Sequence, residues 1–202
     1  MSIKSIIKDA TSRFGNVYLS EGSLKSAFYK VRRELREIGL LSDGSKLDNV
    51  KIIRETFTWD GLGGMFGGAY GFYHFDDQNI HIPTIRTAVL DPRYPERRMV
   101  DILRHEFGHA LSDKYSRFFN DDVFIGAFGD VCGDSVVAKE GDERNYVSDY
   151  ARTNPSEDFA ETFMLYMKHK GKLPKEFSRR KAIKAKWAAL ESICKRVAAK
   201  KK

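Results

Sequence analysis

His105-Glu106-Phe107-Gly108-His109 constrains this chain more than any other stretch. Two histidines four apart project from one face only if the backbone is helical, where they stand about 6 Å apart along the axis and can grip one metal ion. The surroundings predict such a helix from about Glu96 to Lys114, after Asp91-Pro92 and Pro95. Met99, Ile102, Leu103, Phe107, Ala110 and Leu111 recur at helical spacing and make it amphipathic. Glu106, one residue along, sits beside the histidine face. Zinc lowers the pKa of a coordinated water to about 7, and a neighbouring carboxylate can then take its proton as the water attacks a carbonyl.

A zinc ion used this way needs a third protein ligand and an open fourth position. No histidine follows His109 closely; His74 and His81 fall in a predicted hairpin, and His169 lies beyond a later helix. A carboxylate is the remaining source. Asn154-Pro155-Ser156 opens a predicted helix reaching about Lys168, on which Glu157 and Glu161 are four apart. One of the two can ligate zinc while the other hydrogen-bonds the second nitrogen of a ligand histidine. Asp158, about 100° round from Glu157, is expected to cap the helix.

These motifs in order, His105-Glu106-Phe107-Gly108-His109-Ala110, then Tyr150-Ala151-Arg152-Thr153-Asn154, then Glu157-Asp158-Phe159-Ala160-Glu161, resemble the lethal factor-like zinc metallopeptidases. That group includes the catalytic domain of anthrax lethal factor and the Pro-Pro endopeptidases. The resemblance covers roughly residues 98–170, and the aromatic stretch Phe124 to Phe128 is also similar to the family. It implies a gluzincin-type enzyme in which His105, His109 and Glu157 ligate one zinc ion, Glu106 is the general base, Tyr150 stabilises the oxyanion and Glu161 supports the metal site from behind its ligands. Tyr150 lies seven residues before Glu157, and Tyr146 is its competitor for that role.

With that resemblance, the whole chain of 202 residues reads as a single α+β, zincin-like metallopeptidase domain, a small twisted sheet with an edge hairpin beside the active-site helices. Residues 1–95 supply helices, strands and an edge hairpin, 96–170 the zinc-binding core, and 171–202 a basic helix and tail. Leu24, Phe28, Val31, Leu35 and Ile38 predict a helix, with Ser20 at its start and Gly39 as its stop. Val50 to Phe57 favours a strand. Six glycines between Gly61 and Gly71 lack the Gly-Lys-Ser/Thr ending of a phosphate loop. Tyr70 to Phe75 and Ile80 to Ile85 form the hairpin across Asp76-Asp77-Gln78-Asn79, and Pro83 argues that its second strand is an edge. An edge strand beside a glycine-rich loop is a natural bed for an extended protein or peptide substrate. A last helix is expected from about Ser178 to Ala199, with Ile183, Trp187, Leu190, Cys194 and Val197 as its apolar stripe.

The net charge of +7 conceals a division. Residues 168–202 hold fourteen Lys and Arg against Glu176 and Glu191, a net +12, which leaves −5 on residues 1–167. The basic segment reads as a solvated helix face with a lysine tail, or as a surface for nucleic acid. The second reading keeps a SprT-like protease acting on DNA-bound protein in view; a catalytically inactive, zinc-stabilised binding module is the non-enzymatic alternative. Two cysteines, Cys132 and Cys194, are too few for a disulfide framework. No apolar run is long enough to span a membrane, and Met1 to Asn16 has no signal-peptide core, so the expectation is a cytoplasmic chain, with delivery by a non-standard route left open.

Overall fold

The computed structural model describes residues 21–55, 71–83, 99–132 and 142–199. The expected cap at Ser20, the glycine-rich residues 61–70, the prolines at 92 and 95 and the outer ends of the expected strands lie outside them. The elements in chain order are α1 (Glu21–Glu37), β1 (Ile52–Glu55), β2 (Phe72–His74), β3 (Asn79–Pro83), α2 (Met99–Lys114), α3 (Asp122–Phe128), α4 (Pro155–Lys168) and α5 (Lys181–Ala199), joined in places by single 3-10 turns. The architecture is α+β, with one three-stranded sheet and five α-helices among the described residues.

α1 presents Leu24, Val31 and Leu35 to the core and stops where expected. Gly39 adopts φ +78°, and the Leu40 N–H reaches back to the Leu35 carbonyl at 2.8 Å, closing the last turn. α2 departs from its amphipathic expectation. Thirteen of its sixteen residues are buried, because α1, α4 and the sheet surround it. Its polar residues are therefore held by partners: Arg104 forks onto both Glu34 oxygens of α1 at 2.7 and 2.8 Å and also bonds Asp101.

The sheet order is β1-β3-β2, with β1 parallel and β2 antiparallel to β3. β3 is therefore the central strand, which corrects the edge position expected from Pro83. The proline is tolerated because it is the last residue of β3, two positions beyond the final β2 pair, Phe72 with His81. Tyr73, Ile80 and Ile82 turn one face of the sheet into the core. β2 is the strand that ends the sheet on that side among the described residues.

α4 begins as the sequence predicts, with Asn154 accepting the Glu157 N–H at 2.9 Å and Pro155 in the first turn. Asp158 does not cap it. That side chain is fully buried and bonds the buried Lys186 ammonium of α5 at 2.7 and 2.9 Å. α5 starts three residues later than expected, at Lys181, and a 3-10 turn at Lys175–Phe177 precedes it. Its apolar stripe is buried as predicted, Cys194 included, and burial pushes that thiol up to about 12. α3 sets Phe124 and Phe128 against Phe159 of α4, with ring centroids 5.7 and 5.6 Å away. No helix of the described residues is long and apolar enough to cross a membrane.

Candidate metal centre

α2 and α4 cross where both carry small residues. A Cβ on Gly108 would lie 3.0 Å from the Ala160 Cα and 3.3 Å from the Phe163 ring, tighter than side-chain carbons ordinarily pack, so glycine suits the close approach of the helices. The crossing brings the histidine face of α2 against the first turn of α4. His105 Nε2 lies 3.1 Å from His109 Nε2 and 2.9 Å from Glu157 Oε2, and His109 Nε2 lies 3.6 Å from the same oxygen. Tetrahedral zinc with bonds of 2.0–2.2 Å sets its ligand atoms about 3.3 Å apart, so the three separations fit one ion.

The surrounding bonds say what the three atoms need. His105 Nδ1 is 2.7 Å from Glu161 Oε1, and its N–H donates there. In the neutral ring this leaves the Nε2 lone pair facing Glu157 Oε2, an oxygen that is buried with no hydrogen-bond donor of its own. Two electron-rich atoms aimed at each other call for a cation, and the donor set of two imidazoles and one carboxylate suits zinc. Without a metal, that cation is a proton. Burial opposes a charged His105, but its hydrogen bonds to Glu157 and Glu161 outweigh burial and push the imidazole up to about 10. Burial likewise works to raise Glu157, yet the two histidines hold its carboxyl well below the usual carboxylate range.

Glu106 is buried beside this cluster. Its Oε2 accepts the Tyr73 backbone N–H from β2 at 2.8 Å, and burial raises its carboxyl above the ordinary value. Tyr150 begins the 3-10 turn before α4, with its ring centroid 5.8 Å from that of His105. Tyr146, the alternative from the sequence, is instead buried beneath the Lys186 ammonium, 4.3 Å from the ring centre. Glu161 is nearly inaccessible and receives the Ser148 hydroxyl at 2.7 Å on its second oxygen.

The structure thus gathers His105, His109, Glu157, Glu106, Glu161 and Tyr150 in one place. Two hydroxyls escaped the sequence. Ser156 Oγ lies 3.1 Å from His109 Nδ1, and Ser148 backs Glu161. Serine at the start of a helix reads as capping chemistry, and nothing in its spacing points to a histidine 47 positions away. His169 sits at the C-terminal end of α4 and takes no part. His74 and His81, set aside on sequence grounds, converge with Asp77 at the β2–β3 hairpin instead.

Comparison with known proteins follows the same region. Residues 80–178, just under half of the chain, match the model of a family described as "Putative zinc-binding metallo-peptidase". Neither a curated protein nor a solved structure matches. The matched stretch contains every residue of the cluster, so the match supports a zinc metallopeptidase, whereas the resemblance to lethal factor-like enzymes rests on the sequence motifs alone.

Proposed function

We propose that this protein is a zinc-dependent endopeptidase of the gluzincin type, hydrolysing a protein or peptide substrate. The observation that carries the reading is the meeting of His105 Nε2, His109 Nε2 and Glu157 Oε2 beside the buried Glu106 carboxylate. His105, His109 and Glu157 would hold the ion. Zinc, when bound, supplies a Lewis acid that polarises the scissile carbonyl and makes water acidic enough to be deprotonated near neutral pH.

The chain's own groups do the rest. Glu106 accepts a proton from the attacking water and returns it to the departing amine nitrogen as the C–N bond breaks; its raised affinity for a proton suits both transfers. The Tyr150 phenol donates to the oxygen that gains charge as the carbonyl becomes tetrahedral. Glu161 fixes the ring orientation and tautomer of His105, and Ser156 does the same for His109. The substrate lies extended alongside β2, whose Tyr73 N–H already reaches Glu106, so the scissile bond comes to rest against the base.

The test is digestion of a diverse peptide library, read by mass spectrometry, with wild type and Glu106→Gln in parallel. Cuts made by the wild type and lost in a zinc-loaded Glu106→Gln are the expected result. Cleavage by that variant above a few per cent of wild type overturns the assignment of the base. A folded, zinc-loaded wild type that cuts nothing favours the binding module.

A further inference from the structure

A second cluster of metal-binding side chains stands on the β2–β3 hairpin, and its chemistry is not used by the first. The antiparallel register sets Phe72 opposite His81 and His74 opposite Asn79, so Phe72, His74, Asn79 and His81 share the face turned away from Tyr73 and Ile80. His74 and His81 are then diagonal neighbours, close enough for their rings to meet: the centroids are 5.3 Å apart. The turn between the strands folds Asp77 back over this pair. Gln78 adopts φ +59° and its N–H bonds the His74 carbonyl at 2.8 Å, which tightens the loop. Asp77 Oδ1 also accepts the Asn79 N–H at 3.0 Å, which fixes the carboxylate.

The result is a three-cornered donor set. Asp77 Oδ2 lies 2.8 Å from His81 Nε2, and Asp77 Oδ1 lies 3.5 Å from His74 Nδ1. One ligand atom from each residue fits within 4.8 Å of the others. His81 is buried and stacked on the Phe72 ring at 5.1 Å, so its orientation is set before any ion arrives. His74 and Asp77 are partly exposed, which leaves a way in from solvent.

We propose that His74, Asp77 and His81 form a second divalent-metal site, taking zinc or a similar first-row transition ion, with water completing its coordination. Two imidazoles and one carboxylate are the donors such ions prefer, and the two Asp77 oxygens stand 2.8 Å from His81 Nε2 and 3.5 Å from His74 Nδ1, on either side of the 3.3 Å expected around zinc. The ion acts as a clip across β2 and β3. β2 has only three residues, and it is the strand whose Tyr73 N–H holds Glu106, so tying it to β3 steadies the carboxylate from outside the first metal centre.

Zinc stoichiometry of the full chain tests this. The protein is stripped, dialysed to equilibrium against low micromolar free zinc and assayed by elemental analysis. Four variants accompany the wild type: His109→Ala and Glu157→Gln for the first site, His74→Gln and Asp77→Asn for the hairpin, with circular dichroism to check folding. One zinc per chain that survives in His109→Ala or Glu157→Gln and is lost in His74→Gln and Asp77→Asn is the expected result. In a calorimetric titration the same hairpin variants lose one binding phase, with affinity falling at least tenfold. Loss of all zinc in the first-site variants, or zinc content indifferent to both hairpin variants, overturns the proposal. The two sites fail separately: a wild type whose only zinc disappears in Asp77→Asn speaks against the first site and leaves the clip standing.

Discussion

Gly108 and Ala160 meet at the crossing of α2 and α4, where a Cβ on Gly108 would stand 3.0 Å from the Ala160 Cα. This contact sets the distance between the two histidines and Glu157. Gly108→Val forces the helices apart, an overpacking that costs about 1–3 kcal/mol. Chemical denaturation should show that loss, and a chelator competition should show weaker zinc binding. A variant that is destabilised but binds zinc with wild-type affinity would mean that the crossing does not set the ligand spacing.

Glu161 Oε1 lies 2.7 Å from His105 Nδ1, on the opposite side of the ring from Glu157. Glu161→Ala should weaken zinc binding about 10–100-fold, and Ser148→Ala should do so by less. The metal-free protein carries a pH signature of the same contact. His105 is raised from its ordinary 6.5 to about 10, so the stability it contributes is fully present below pH 6.5 and fades as pH climbs through 10. Melting temperatures of stripped wild type and Glu161→Gln, compared from pH 6 to 11, should converge at the alkaline end. Zinc competes with that proton, so zinc affinity should rise across the same span.

Tyr150 and Tyr146 are separable. Tyr150→Phe should lower kcat about 10²–10³-fold, with KM and zinc content little changed, as expected for a donor that acts on developing charge. Tyr146→Phe leaves its ring beneath Lys186 and should leave kcat near wild type. The opposite ranking would move the oxyanion role to Tyr146.

Lys186 and Asp158 form an ion pair inside the protein, with a further bond from Lys186 Nζ to the Asn145 carbonyl at 2.7 Å. Lys186→Met strands the Asp158 carboxylate, and unfolding measurements should show a loss of about 3–5 kcal/mol. Adding Asp158→Leu should restore most of it, since an apolar pair of similar volume removes the uncompensated charge. A double variant no more stable than Lys186→Met would show that the Asn145 bond, and not the ion pair, is what the fold depends on.

Elements defined by local spacing were legible from sequence alone. The two histidines four apart demanded a helix and received one, and Asn154-Pro155 marked the start of α4 to the residue. Glu157 Oε2 lies against Nε2 of both histidines and Glu161 against the far nitrogen of His105, an arrangement that spacing alone left open. Illegible were the features that depend on which element packs on which. Asp158 has the sequence signature of a helix-start acid, and only the arrival of α5 makes it a buried counterion. Pro83 forbids a ladder donor but says nothing about whether the strand has already outrun β2, with only β1 still beside it at Glu55. α2 reads as amphipathic from the spacing of its apolar residues; that its charged positions are buried too, Arg104 against Glu34 seventy residues earlier, depends on the elements packed around it. The hairpin and its Asp77 turn were legible, but not that the turn folds the Asp77 carboxylate back onto His74 and His81.

The match to the family model ends at residue 178, yet the fold does not. Lys186 comes from the helix beyond that boundary and reaches the carboxylate adjacent to Glu157 in sequence. A chain cut at 178 would carry Asp158 into the core without the Lys186 ammonium, one residue from Glu157. At that point the basic segment is an inward-facing buttress rather than an appendage, tying α5 to the first turn of α4.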